Sequence, residues 1–388
     1  MKILFVSNWS ASHGIAHATV GPLLDLLQKN TIVKEIIYCS VEPSVVPASR
    51  KGKVHHMPIP RGNSRGLVLN LKCALAIRKL IAVNHVDLIW CKGSTAGAIG
   101  AIVSLITRIP FLVDSFEPHA EYMTEAGLWK KVGLKYKVQV TLERMIRRNA
   151  IGLLPVSHAY ERELQKGGVS PERIFVVPCI VNKDLFRFDE NERESMRLKL
   201  GVPDDGVVGV YVGKYGGLYY EEEAFALYKA AFKYWKEKFF LLIITENDNE
   251  EIQRWVGGYE MPMDRILVTT AAHSAIPAYL NAADFAFSTI KSNPAMAYCS
   301  PIKHGEYWAC GLPILSTLQY GDDAEIIANR DGGVLVNIPS SDNKAAFSKI
   351  AKMLETKPRE HFSFLAEQFR NVGVLESAVK FVLSLPEL

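Results

Sequence analysis

The sequence has no Cys-x-x-Cys pair and no His cluster at zinc spacing, and its six cysteines (Cys39, Cys73, Cys91, Cys179, Cys299, Cys310) are scattered through 388 residues. A zinc site or disulfide scaffold is therefore excluded as the organising device, and lone thiols in apolar stretches fit a reducing compartment. Long hydrophobic runs are missing too. The longest, Ala96 to Ile106, is well short of a membrane-spanning helix and is followed by Thr107-Arg108. Met1 to Ser7 is too short an apolar segment for a signal peptide and reads as a first strand, so a cytoplasmic location is expected. There is no Gly-x-Gly-x-x-Gly fingerprint and no short-period repeat. The basic runs also lack the interleaved aromatics on which nucleic-acid bases stack, so nucleic acid is not an expected partner.

Charge is present but unevenly spread. Residues 1–184 hold 24 Lys and Arg against 13 Asp and Glu, and the remainder holds 21 against 28. A basic half joined to an acidic half suggests that the first meets anions or a membrane surface. The length argues for two domains. Near-continuous apolar runs alternate with helical patterns: Ile3–Val6, Ile36–Tyr38, Val54–Met57, Leu88–Trp90, Phe111–Asp114 and Gly152–Pro155 read as strands. After a charged stretch, Arg187 to Lys199, read as a surface helix or linker, the alternation restarts with Val207–Val212, Phe240–Thr245, Ile266–Thr269, Phe285–Ser288, Pro313–Leu315 and Gly333–Val336. The expected fold is α/β, with two doubly wound Rossmann-like domains facing a central cleft. Residues 1–186 would form the first domain and 187–370 the second, and the apolar helix within 371–388 would pack back on the first.

The most informative segment is Ser300-Pro301-Ile302-Lys303-His304-Gly305-Glu306-Tyr307-Trp308-Ala309-Cys310-Gly311-Leu312-Pro313. Ser300 suits an N-cap, Pro301 the first helical position and Gly311 the position after the end, which predicts a helix over Pro301–Cys310. Lys303 then lies in the first turn, where the helix dipole disfavours a cation unless an anion is near. Together with free first-turn N–H groups it could hold a phosphate. Glu306 lies on the same face, suited to accept from vicinal ribose hydroxyls. A solvated Lys303–Glu306 surface pair fits the spacing equally well.

The pattern Ser-Pro-x-Lys-x-x-Glu-Tyr-x-Ala-x-Gly-x-Pro resembles the donor-binding segment of the GT-B glycosyltransferases grouped as family 4. The resemblance implies that Glu306 holds the nucleotide ribose and that Ser300, Pro301, Ile302 and Lys303 line the phosphate end. Many members carry another Glu eight residues earlier, where this chain has Tyr298. Val210 to Gly217 is similar to the family's glycine-rich loop after the second domain's first strand. That places Gly213 and Lys214 at the donor diphosphate, with Lys214 also assisting catalysis. A second basic residue usual a few places on is absent, and Glu221–Glu223 stand there instead. Val177-Pro178-Cys179-Ile180-Val181-Asn182 to Phe186 looks like the family's approach to its interdomain linker. Of the family's Gly-Gly loop after the first strand, only Gly14 survives in Ser7 to Gly14. Glu117 and His119, following the strand Phe111–Asp114, match a region near the reacting sugar and are catalytic candidates. The nucleobase loop would be near Thr270–Ile276.

What the resemblance implies is a hexosyltransferase moving a sugar from a nucleotide diphosphate sugar, UDP or GDP, to a glycan or lipid-linked acceptor, with retention of configuration. No Asp-x-Asp tripeptide is present to hold Mg²⁺. Lys214, Lys303 and the first-turn N–H groups could stabilise the leaving diphosphate, so metal-independent transfer without a cofactor is expected. Basic clusters at Arg50 to Lys53, Arg61 to Arg65 and along Leu128–Arg148 suggest peripheral contact with the inner face of the cell membrane. Two alternatives stay open: a nucleotide-sugar epimerase of the same fold, and a non-catalytic binding protein.

Overall fold

The computed structural model describes residues 1–338 and 343–386. The chain divides into two compact units, one formed by Met1–Ile180 with Val372–Leu388 and the other by Val181–Asn371.

Among the described residues the first unit carries β1 (Lys2–Ser7), β2 (Glu35–Glu42), β3 (Ser49–Lys51), β4 (Val54–His56), β5 (Ile59–Pro60), β6 (Leu88–Lys92), β7 (Phe111–Phe116) and β8 (Gly152–Pro155). They form one sheet in the order β3-β4-β2-β1-β6-β7-β8, with β5 beside β2. The central strands pair in parallel, with Phe5 of β1 in register with Tyr38 and Trp90, as the buried apolar runs require. The sequence reading missed β3, a polar, fully exposed three-residue strand that pairs antiparallel with β4 at the sheet edge. The helix expected over Leu128–Arg148 begins only at Leu134, after Gly133 in extended backbone, and ends at Asn149. The helix Val372–Leu383 contributes Leu375, Ala378, Val379 and Val382 to the core built on Ile3, Phe5, Leu88, Trp90 and Leu112.

The second unit holds β9 (Val207–Val212), β10 (Phe239–Ile244), β11 (Ile266–Thr269), β12 (Phe285–Ser288), β13 (Ile314–Ser316) and β14 (Gly333–Leu335). Their order is β11-β10-β9-β12-β13-β14, and every pairing is parallel. In both sheets the strand order reverses about the first strand, β1 or β9, which makes the carboxyl ends of those strands the natural places for a ligand. The charged stretch after Phe186 is more than a solvated linker. It contains the helix Glu190–Leu200, capped by Asp189, and Arg193 and Arg197 clamp Asp284 at 2.6 and 3.3 Å. The helix expected over Pro301–Cys310 spans Ile302–Ala309. Pro301, with ψ 121°, holds the cap position in place of Ser300, whose hydroxyl accepts instead from Arg370.

Candidate functional site

In the second unit, β9 ends at Val212 and the chain turns at Gly213 with φ +139°. A Cβ there would lie 2.7 Å from Lys303 Nζ, so the turn accepts only glycine without displacing that amine. The turn is tied down by the Tyr211 hydroxyl, which donates to the Lys214 carbonyl at 2.6 Å. The helix Ile302–Ala309 is pinned to the same place, because the Val212 N–H donates to the Tyr307 hydroxyl at 3.0 Å. Sheet topology thus brings Gly213 and Lys214 together with Lys303, residues almost ninety apart in sequence.

Lys303 lies in the helix's first turn, as its spacing implied. Its Nζ is sealed from solvent, has no hydrogen-bond partner, and sits 4.9 Å from the ring centre of Tyr211 and 4.1 Å from that of Tyr219. Burial pulls this amine down to about 7, with Glu306 opposing the shift and the nearby Lys214 charge adding to it. Glu306 is only 6% exposed, and its Oε1 lies 2.7 Å from His273 Nε2. Neither residue belongs to a solvated surface pair. The hydrogen bond to Glu306 raises the His273 imidazole above its ordinary value, against the effect of burial. His273 falls within the Thr270–Ile276 loop, but nothing in the local sequence marked it as a partner of Glu306.

Behind the helix runs a buried polar chain that sequence reasoning missed. His304, fully buried, places Nε2 2.7 Å from Ser288 Oγ and Nδ1 2.6 Å from Asp323 Oδ2. A carboxylate only accepts, so Nδ1 donates to Asp323 and Nε2 accepts from the serine. Burial lowers the histidine's pKa and keeps it neutral. Arg370 closes the chain, donating to Asp323 Oδ1 and to Ser300 Oγ. Burial alone would raise the Asp323 carboxyl, but the Arg370 charge and the His304 hydrogen bond hold it below the ordinary range. The carbonyl of Arg370 accepts from the Val181 N–H at 2.9 Å, and the Arg370 side chain packs on Gly305. Tyr298 ends the short 3₁₀ turn Pro294–Tyr298 just ahead of this segment.

In the first unit, Gly14 opens the short helix Gly14–Thr19, capped by His13. The loop before it is held by Glu42 at the end of β2, which accepts from Ser10 Oγ at 2.6 Å and the Ala11 N–H at 2.9 Å. A buried ion pair joins the end of β6 to β7, Lys92 Nζ to Asp114 Oδ2 at 2.8 Å. Next to it Ser115 adopts φ +52°, an uncommon backbone for a residue with a Cβ, at a bulge that redirects the chain toward Glu117. Ser94 Oγ donates to the Glu117 carbonyl at 2.6 Å and accepts from its N–H at 3.2 Å. The Glu117 carboxylate lies 3.5 Å from His119 Nδ1, and His119 meets Trp129 edge-on. Glu143, from the helix Leu134–Asn149, accepts from the Ala120 N–H at 3.1 Å, at the start of the helix carrying His119. Burial raises its carboxyl to about 7 despite hydrogen bonds from Gln139 and Ala120. Among the described residues no group of three His, Cys, Asp or Glu is arranged to hold a metal ion.

A family model described as "Glycosyl transferase 4-like domain" matches residues 37–179, and one described as "Glycosyl transferases group 1" matches residues 208–356. The chain belongs to the GT-B glycosyltransferases. No curated protein matches it, but solved structures of this fold do. Sucrose-phosphate synthase (tll1590) from Thermosynechococcus elongatus superposes with a TM-score of 0.75 at 15% identity, covering 99% of this glycosyltransferase and 98% of that chain. WaaG, a glycosyltransferase involved in lipopolysaccharide biosynthesis, gives 0.73 at 14% identity over 98% and 100% of the two chains. Anabaena Alr3699/HepE, solved with UDP-glucose, gives 0.69 at 16% identity over 99% of each. At such identities the superpositions establish the glycosyltransferase's fold, while the family models establish its enzyme class.

Proposed function

We propose that this glycosyltransferase moves a sugar from a nucleotide diphosphate sugar, with UDP or GDP as carrier, to a hydroxyl of a glycan or lipid-linked acceptor. The observation that carries this reading is the convergence of Lys303, Lys214 and the first-turn N–H groups of Ile302–Ala309 beside the buried Glu306 carboxylate. Two cationic side chains with a helix N-terminus suit a diphosphate. A carboxylate one helical turn further suits vicinal ribose hydroxyls. HepE's complexes with UDP and UDP-glucose support a donor of this class, and WaaG's part in lipopolysaccharide biosynthesis supports a glycan acceptor.

In the proposed reaction the bond from the sugar's C1 to the diphosphate oxygen breaks, and a bond from C1 to the acceptor oxygen forms on the same face. The acceptor's proton passes to the departing phosphate oxygen, which retains configuration. Lys214, Lys303 and the helix-start N–H groups, with Gly213, Ser300, Pro301 and Ile302 shaping the turn, stabilise the charge that grows on that oxygen without a metal. Glu117 and His119 serve the reacting sugar, and Gly14 gives its loop close backbone approach.

Contact with an anionic membrane is part of the reading. The basic segment Leu128–Arg148 leaves Leu128 at 61%, Val132 at 79% and Leu134 at 72% exposure, while its helix Leu134–Asn149 buries Gln139, Glu143 and Ile146. The helix Gly66–Val83 offers a second such surface: it leaves Val68 at 67%, Leu71 at 62% and Leu75 at 50% exposure, flanked by exposed Lys72, Arg78 and Lys79, and carries no acidic residue. An apolar stripe edged by bases suits a lipid headgroup layer. No helix among the described residues is long and apolar enough to cross a membrane.

Thermal unfolding against UDP, GDP, ADP and their sugar conjugates, with and without EDTA, tests the donor site. Saturation at a hundred times the dissociation constant adds about 2.7 kcal/mol, or roughly 5–11 °C at about 2–4 °C per kcal/mol for units of this size. A shift with one nucleotide, lost in Lys303→Ala and Glu306→Ala, is the expected result. No shift with any nucleotide refutes it, and loss of the shift or of transfer in EDTA refutes metal independence.

A further inference from the structure

The environment of Lys303 is unusual for a group that is to meet a diphosphate. Its Nζ is enclosed without one hydrogen-bond acceptor in reach, although an ammonium carries three donors. The groups facing it are the rings of Tyr211 on β9 and Tyr219 in the loop beyond Gly217, the Gly213 backbone, the Lys214 charge, and Glu306 and His304 on its own helix. Of these, Glu306 is the one anion, and its Oε1 is engaged by His273. The ring faces favour a cation, but they cannot replace the hydrogen bonds that an ammonium loses on leaving water.

We propose that donor capture by this chain is coupled to proton uptake: Lys303 is stored as a neutral amine in the slot between Tyr211 and Tyr219 and takes a proton from solvent when the donor's diphosphate reaches the start of the Ile302 helix. The inference rests on the donor reading above. Phosphate oxygens supply the acceptors that the empty slot lacks, and two negative charges at the helix start outweigh the repulsion from Lys214. The burial-driven fall of this amine to about 7 agrees with the geometry. Sequence reasoning found no second basic residue after Lys214, where Tyr219 and then Glu221–Glu223 stand. Lys303, lying over the Tyr219 ring, supplies the second cation from another element, and supplies it only on demand.

The consequence is a donor affinity that depends on pH in one direction. Below about pH 7 the amine is already charged and binding takes up no proton. Above it, one proton enters per donor bound, and affinity falls close to tenfold for each pH unit.

Titration calorimetry with UDP-glucose, GDP-mannose and ADP-glucose, in buffers of different ionisation enthalpy at about pH 6 and about pH 8.5, counts the protons directly. These diesters carry no phosphate that titrates in that window. The expected result is close to one proton taken up per sugar nucleotide at the higher pH, none at the lower, and none at either in Lys303→Arg, whose guanidinium is always charged. Binding at the higher pH without proton uptake overturns proton storage and leaves the donor site standing. Uptake that persists in Lys303→Arg overturns the assignment to Lys303. If none of the three sugar nucleotides binds at either pH, the donor reading itself fails and this inference with it.

Discussion

Replacing Arg370 by methionine takes away the cation that faces Asp323 at a site where both side chains are 2% exposed. Breaking a buried ion pair from one side costs about 3–5 kcal/mol, because the remaining charge has lost its compensation. Here the lower end is expected, since His304 already bonds the same carboxylate and can take a proton to become its new counter-charge. In the native protein the Arg370 charge is among the influences that lower His304. Without it, the histidine's folded pKa moves up from its lowered position, so protonating it costs the variant less than it costs wild type, and the variant's deficit is smaller at pH 6 than at pH 8. Urea denaturation of wild type, Arg370→Met, Asp323→Asn and the double variant is the assay. A loss of about 3 kcal/mol moves the midpoint by roughly 1 M, and the double variant should lose at least about 1.5 kcal/mol less than the sum of the single ones. A single-variant loss below about 1 kcal/mol, or additivity within about 0.5 kcal/mol, would refute the reasoning. Since Arg370 also donates to Ser300, the single variant should weaken nucleotide binding, and Arg370→Lys should restore it only in part.

Two further outcomes follow from groups in the first unit. Glu143 titrates near 7 in the fold against an ordinary value of 4.5, so the folded state holds a proton that the unfolded chain gives up. Stability therefore falls as pH rises from about 4.5 to about 7, and Glu143→Gln should remove that slope and exceed wild type at pH 8 by up to about 3 kcal/mol; equal melting profiles at pH 5 and pH 8 would contradict it. Leu71→Glu with Leu75→Glu should weaken sedimentation with phosphatidylglycerol vesicles severalfold while leaving nucleotide binding intact, and unchanged sedimentation would remove the Gly66–Val83 helix from the membrane reading.

How much could be read beforehand depended on how local the cause was. Strands buried on both faces announce themselves as continuous apolar runs, so β1, β6, β9 and β12 were legible almost to the residue. So was the Ile302 helix, because a proline at its start and Gly311 past its end are chemical punctuation. The polar edge strand β3 was not legible, since pairing with β4 rather than composition makes it a strand. At the candidate site, Lys303 was marked by a cation misplaced on a helix dipole. Its aromatic slot was not, because Tyr211 and Tyr219 come from another strand and loop. The chain from Ser288 through His304 and Asp323 to Arg370 and back to Ser300 joins residues up to 82 apart, and no spacing rule reaches that far. The meeting of His273 with Glu306 was hidden for the same reason.

The last helix completes the core of the first unit, and this has a meaning for the order of synthesis. Leu375, Val379 and Val382 touch the layer built on Ile3, Phe5 and Trp90, yet they leave the ribosome after every residue of the second unit. The first-made unit must therefore wait, its apolar seam uncovered, while nearly two hundred residues are added. The second unit, contiguous in sequence, is free to finish first. A nascent chain halted after Asn371 would carry a closed second half and an unsealed first one, an inversion of the usual N-terminal-first sequence of folding.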